Sequence, residues 1–245
     1  MSDAFSRLVR RWQGVLLSLV GVAATLWLGA TGRLGLYIHP RYFVFTMVLA
    51  LIAAVILIAA FAVLPDEHEH DQKRSVWPAV GGAAIVLGSV AALLVVPPAT
   101  LTTATAAQRE VNTSAVDASV AAAAPTGDYA DFTVRDWATL LRQGASEQFL
   151  ADKTAAVSGF VTPDARDPDN VFYVARFVVT CCAVDAQPVG VPIHQPGWQD
   201  VYAVDSWLEV SGGFGSNPSV LSTEPIVLVP DTVTAIDEPA MPYVY

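Results

Sequence analysis

Long uncharged stretches dominate the first hundred residues of the chain. Runs of 21, 24 and 34 residues without Asp, Glu, Lys or Arg occupy 12–32, 42–65 and 75–108. A helix rises about 1.5 Å per residue, so about 20 mostly apolar residues cross a bilayer core. The pattern predicts three transmembrane helices near residues 13–31, 42–64 and 76–96, after a short N-terminal segment, 1–12.

The basic residues beside these runs predict an orientation. Five of them fall on one side of the predicted membrane, at Arg7, Arg10, Arg11, Lys73 and Arg74, against Arg33 and Arg41 on the other. The positive-inside rule places the N-terminus in the cytoplasm and the C-terminal half outside the cell. A cleaved signal peptide is the alternative for the first run. That run exceeds the usual ~7–15 residues and lacks an Ala-x-Ala site, so we expect a retained anchor in a multi-pass protein of the cell membrane.

The predicted spans contain no ionisable residue, although ion pathways usually keep one at membrane depth. Three such helices make a poor transporter by themselves. The third span has small residues at four-residue spacing, Ala84, Gly88 and Ala92, which predict a face where a partner helix packs closely. General abundance of small residues in membrane helices is the alternative.

Two polar segments follow the second and third spans. The cytoplasmic loop 65–75 contains His68 and His70 among carboxylates, which are weak candidates for metal ligands because a flexible loop offers no fixed geometry. Residues 97–127 are rich in Ala, Thr, Ser and Pro, a composition that predicts a disordered linker.

The pattern changes to that of a compact domain over residues 128–245. Thr133 and Asp136 form a capping-box pair before an amphipathic helix, on which Trp137, Leu140 and Leu141 share a face. Five β-rich runs follow, at 155–161, 171–182, 189–193, 206–213 and 226–236. The predicted fold class is therefore α+β: three transmembrane helices, then an extracytoplasmic small β-barrel of the OB type with one leading helix.

Composition and charge indicate that the chain has two regions, one suited to a membrane and one suited to water. The chain is 53% hydrophobic and 15% charged, with mean hydropathy +0.47, well above that of an ordinary soluble domain. Its formal net charge of -10 is concentrated in residues 111–245, which have 17 acidic and 5 basic residues. Nucleic-acid binding depends on Lys and Arg neutralising phosphates, so this balance argues against a nucleic-acid partner.

The only cysteines, Cys181 and Cys182, are adjacent and precede Asp185. In a strand they would point to opposite faces; at a strand end they and Asp185 form a candidate site for a soft or transition metal ion, or for thiol redox exchange. His194 is near enough in sequence to join them. The alternative is that Cys181 packs as a small hydrophobe and Cys182 has no role.

Signatures of enzymes are missing from the sequence: it has no nucleophile elbow, phosphate loop, paired zinc-ligand motif or dinucleotide fingerprint. Asp164, Asp167 and Asp169 resemble a calcium loop but lack its glycine and terminal glutamate, so they predict a polar hairpin turn. We therefore expect a protein that is not an enzyme.

Several motifs resemble the YcgQ-type family of bacterial permease subunits. They are GFV at 159–161, FVVTCCAVDA at 177–186, WLEVSG at 207–212 and PYVY at 242–245. The family motif resembles Cys-Cys-x-Ala-Asp-Ala, and Val184 stands here where alanine is expected. The resemblance implies a two-component system in which this chain accompanies a larger polytopic permease.

Two functional hypotheses follow. The first is an accessory membrane subunit that packs on a permease and caps its outer mouth with the barrel. The second is a membrane-tethered thiol protein that binds metal or acts in redox exchange outside the cytoplasm. The partners expected are the permease and membrane lipid, with no nucleic acid, and no cofactor beyond a possible metal ion.

Overall fold

A computed structural model describes residues 2–63, 77–95, 100–109, 111–112 and 127–245. The chain divides into two compact units, Met1–Ala99 and Thr100–Tyr245. The predicted loop with His68 and His70 lies outside the described residues, as does most of the predicted linker.

Three helices form the first unit. They are α1 (Ser2–Ala30), α2 (Phe43–Val63) and α3 (Trp77–Val95). Single 3₁₀ turns at Arg33–Leu36 and Pro40–Tyr42 join α1 to α2, and Gly32 takes the left-handed conformation (φ 73°) that glycine adopts without strain. Helices therefore stand at all three positions where the hydropathy pattern predicted spans.

Membrane-spanning capacity is confirmed for only one of these helices. Within the described part of the chain, the segment Pro40–Ala59 has the length and hydropathy (mean 2.8) needed to cross a bilayer, and 6% of it is buried. The apolar segments Gly14–Ala30 and Val80–Leu93 are shorter than a full span. The fold-class prediction of three transmembrane helices is thus not confirmed as a whole.

The second unit is a closed β-barrel with strand order β1-β2-β3-β5-β4. Its strands are β1 (Thr154–Pro163), β2 (Val171–Val178), β3 (Gln187–His194), β4 (Trp207–Ser216) and β5 (Ile226–Ile236). Neighbouring strands are antiparallel except β3 and β5, which pair in parallel at Ile193 and Leu228. All five predicted strands exist, and the α+β class with a five-stranded sheet is confirmed.

The predicted capping box opens the helix α5 (Val134–Arg142). The Thr133 amide donates to Asp136 Oδ2 (2.9 Å), and the Asp136 amide donates to Thr133 Oγ1 (3.4 Å). The cap directs the apolar face of α5 onto the barrel, where Trp137 is fully buried against Phe132 and Phe214. A further short helix, α6 (Glu147–Leu150), follows and was not predicted.

Residues 100–109 and 111–112 pack on the barrel, although they lie in the segment 97–127 predicted as a disordered linker. They include α4 (Thr103–Arg109), whose Ala106 is fully buried. Asn112 pairs with Gly190 of β3 in both directions, donating from Nδ2 and accepting at Oδ1, each at 2.9 Å. The second unit therefore begins before Asp128, and we call residues 100–109 and 111–112 the strap.

Candidate thiol site

The two cysteines lie in a loop directly after β2. The strand ends at Val178, whereas the sequence predicted that it continued through Cys182. Near the C-terminus, Val244 pairs with this end: its amide donates to Phe177 O (2.9 Å), and the Val179 amide donates to Val244 O (3.1 Å). Successive side chains of a strand point to opposite faces of the sheet. Because the cysteines follow the strand, this rule does not apply to them, and their side chains can lie on the same side.

Asp185 organises this loop. Its carboxylate accepts three backbone N–H groups, from Thr180 at Oδ1 (3.1 Å) and from Cys181 (2.7 Å) and Cys182 (3.2 Å) at Oδ2. The Asp185 amide donates in return to Cys182 O (2.9 Å), closing a 3₁₀ turn over Ala183–Asp185. A carboxylate that accepts several backbone amides fixes a local backbone path, here that of the cysteines.

The loop brings the two sulfurs and the Asp185 carboxylate together. One ligand atom from each residue lies within 4.8 Å of the other two. Cys181 is exposed and Cys182 is half-buried, and both are thiols rather than half-cystines. Across the described ranges, this is the one group of three or more Cys, His, Asp or Glu side chains close enough to share a metal ion.

The strap contacts the same loop through Arg109. Its Nη2 donates to Val184 O (3.1 Å), and its Nη1 donates to Ala186 O at short distance. These carbonyls belong to the residues on either side of Asp185. Arg109 therefore holds the turn through its carbonyl groups, whereas Asp185 holds it through the backbone amides that precede it. Sequence reasoning missed Arg109 because about seventy residues of chain separate it from the loop.

Among the described residues, no other candidate metal ligand belongs to this group. His194 ends β3 opposite Val171 in the strand register and is not part of the three-residue group. His68 and His70 lie outside the described part of the chain. Ala84, Gly88 and Ala92 are all exposed along α3, and a side chain added at Gly88 would meet nothing within 4 Å.

A second polar cluster, buried between the β1–β2 and β4–β5 loops, was not predicted as a site. The Tyr173 hydroxyl lies 3.0 Å from Asp164 Oδ2 and 3.0 Å from Glu224 Oε1. Asp164 Oδ1 also accepts the amides of Arg166 and Asp167, as a polar hairpin turn requires. We call Asp164, Tyr173 and Glu224 the buried carboxyl cluster.

Electrostatics within this cluster follow from burial and proximity. Burial raises the pKa of Glu224, and the charge of Asp164 raises it further, while the Tyr173 hydrogen bond and Arg142 act in the opposite direction. Burial likewise raises the pKa of Tyr173, with added contributions from both carboxylates. Tyr173 therefore stays neutral and has one proton for two acid groups, so protonation of Glu224 favours this arrangement by supplying a second.

Comparison with known proteins gives two matches to family models. Residues 15–112 match the DUF1980 N-terminal domain, and residues 134–245 match the DUF1980 C-terminal domain. No curated protein and no solved structure matches the chain. The second match includes the whole barrel and the loop 179–186 between β2 and β3, which we call the thiol loop.

Proposed function

Because this chain belongs to the DUF1980 family, consistent with its YcgQ-type resemblance, we propose a function from its own geometry: it binds a soft or transition metal ion outside the cytoplasm. One observation supports this most strongly, the placement of Cys181, Cys182 and Asp185 with their ligand atoms within 4.8 Å of one another. Thiolates favour ions such as Cu(I) and Zn(II) over Mg²⁺ or Ca²⁺, which prefer oxygen ligands.

The architecture supports a binding protein better than a catalyst. The strand order β1-β2-β3-β5-β4 is that of an OB-like barrel, a fold that often serves as a binding module. The thiol loop joins β2 to β3, and its exposed Cys181 allows an ion to enter from solvent. The acidic balance of residues 111–245 favours cations near the domain and disfavours nucleic acid.

Metal content of the full chain, purified in mild detergent under reducing, anaerobic conditions, tests this proposal. We expect one equivalent of Cu(I) or Zn(II) per wild-type chain by elemental analysis, and loss of at least half of that metal after Cys181→Ser or Cys182→Ser. Asp237→Asn, which removes an exposed carboxylate elsewhere, should keep the full equivalent. Wild-type protein that binds neither ion would contradict the proposal.

A second function is favoured by the helices of the first unit. We also propose that the chain is an integral membrane accessory subunit that packs on a larger polytopic permease. The support is that α2 is both strongly apolar and almost unburied, with Val44 76% exposed, and that Ala84, Gly88 and Ala92 face away from the unit's own helices. Lipid can cover the bulky apolar surface, and a partner helix fits the small-residue face.

The finer features of this second proposal come from the sequence. They are three transmembrane helices, a cytoplasmic N-terminus and an extracytoplasmic barrel that caps the permease. A helix unit covered by lipid alone, without a partner, would show the same exposed apolar surface. The proposal of a partner is therefore tested at the small-residue face of α3, where the partner helix would pack.

We expect Gly88→Leu to reduce by about tenfold the amount of a multi-span protein that co-purifies with the chain in mild detergent. A leucine at this position would hold the partner helix away, at a cost of about 1.4 kcal/mol or more in association. Ala83→Leu adds similar bulk at an exposed position on another face of α3 and should leave co-purification unchanged. Equal recovery from both variants would argue against a partner at this face.

A further inference from the structure

Asp185 has little capacity left to bind a metal ion. A carboxylate has about four lone-pair positions, and three of them already accept the amides of Thr180, Cys181 and Cys182. Oδ2 accepts two of these hydrogen bonds, and Oδ1 accepts the third. To coordinate an ion through Oδ2, the carboxylate would have to give up at least one bond that shapes the loop.

The surroundings of Asp185 also disfavour a cation at its oxygens. Three N–H dipoles point at the carboxylate and form an anion-binding nest, whose positive ends repel a metal ion. Arg109 holds the outer side of the same turn through the carbonyls of Val184 and Ala186. Asp185 and Arg109 together therefore fix the path of the loop that carries the two sulfurs.

Resting on the metal-binding function proposed above, we infer that the site is a two-thiolate site selective for Cu(I), with Cys181 and Cys182 as ligands and Asp185 and Arg109 as positioning residues. Zn²⁺ in proteins is almost always four-coordinate, whereas Cu(I) accepts two soft ligands. Binding is then a proton exchange: two thiols and one Cu(I) give one bis-thiolate complex and two protons, with no change in oxidation state.

The exposed position of the site agrees with this ligand set. Cys181 is exposed, and Val184 beside it is 82% exposed, so the loop leaves the ion open to a competing thiolate. A low-coordinate, solvent-accessible ion exchanges readily by attack of a third sulfur. The site is therefore suited to accepting and passing on Cu(I) rather than to holding a permanent structural ion.

The test is a competition titration of the full chain in detergent micelles with Cu(I), against a Cu(I)-chelating chromophore, and separately with Zn(II). We expect one Cu(I) per chain, bound far more tightly than Zn(II), and X-ray absorption showing two sulfur neighbours and no oxygen. Asp185→Asn and Arg109→Gln should keep the two-sulfur spectrum and lower Cu(I) affinity about 10- to 100-fold, as loss of groups that orient ligands does. Cys181→Ser and Cys182→Ser should lose the two-sulfur spectrum.

Other results separate the two proposals. An oxygen neighbour in the wild-type spectrum that disappears in Asp185→Asn would make Asp185 a ligand and overturn the inference alone. Tighter binding of Zn(II) than of Cu(I) would do the same, while leaving metal binding in place. Failure of the wild type to bind either ion overturns both proposals. If Asp185→Asn does not fold, as circular dichroism would show, the wild-type spectrum decides the ligand set by itself.

Discussion

Replacing Gly212 with alanine will lower the free energy of unfolding of the barrel by roughly 3 kcal/mol or more, the range of severe overpacking. Gly212 lies in β4 opposite a β-bulge of β5, where Asp231 is the extra residue between the partners of Ser211 and Gly212. A Cβ there would press into the carbonyl oxygen of Val229 and lie 2.9 Å from the Cα of Pro230. Both obstacles are backbone, so no side-chain rotation can relieve the contact.

Gly213 provides a matched control on the same strand. A Cβ at this position meets nothing within 4 Å, so Gly213→Ala should change stability by no more than about 0.5 kcal/mol. Chemical denaturation of the full chain in detergent, followed by near-ultraviolet circular dichroism of the buried aromatic side chains, measures both variants. If the two variants are equally stable, β4 and β5 can move apart at Gly212 at little cost, and the prediction is wrong.

The contribution of Glu224, in the buried carboxyl cluster, to the stability of the wild-type barrel will be lost as the pH rises above the ordinary range of a glutamate. Burial raises the pKa of Glu224 in the folded state, so folding binds its proton more tightly. The contribution is complete below the unfolded pKa and is lost as the pH rises through the folded pKa. Once Glu224 is ionised, the Tyr173 hydroxyl faces two carboxylates with one proton.

Glu224→Gln will remove this loss, because the glutamine amide donates to the Tyr173 hydroxyl as the protonated acid does. At pH 8 we expect the variant to be more stable than the wild type by about 1 kcal/mol, the order of one hydrogen bond, with no gain at pH 4. Hydrogen exchange should show slower opening of the β4–β5 loop at pH 8, since Glu224 fastens it to Tyr173 on β2.

The control for this experiment is Glu209→Gln, which removes an exposed carboxylate from β4. It should keep the wild-type pH profile because it lies outside the cluster. A Glu224→Gln profile parallel to that of the wild type would show that the ionisation of Glu224 does not change the stability of the folded barrel.

Local patterns in the sequence determined the elements of this protein. The Thr133 and Asp136 pair started α5 at the predicted place, because both partners of a capping box lie within one helical turn. Runs rich in β-favouring residues located all five strands, because such residues suit a pleated, largely buried surface. Charge-free runs located three helices, of which, within the described residues, one includes a segment long and apolar enough to cross a membrane.

Tertiary structure decided the chemistry of the thiol loop and of the buried carboxyl cluster. β2 pairs with β3 only as far as Val178, and Asp185 turns the chain that follows, whereas the sequence alone predicted that the cysteines belong to the strand. Arg109 reaches the loop across about seventy residues, and Glu224 reaches Tyr173 across about fifty. Hydropathy and capping act over a few residues, whereas hydrogen bonds between distant segments depend on how the barrel closes. The sequence by itself therefore determined where the long helices, α5 and the five strands form, and the closed barrel decided which side chains meet.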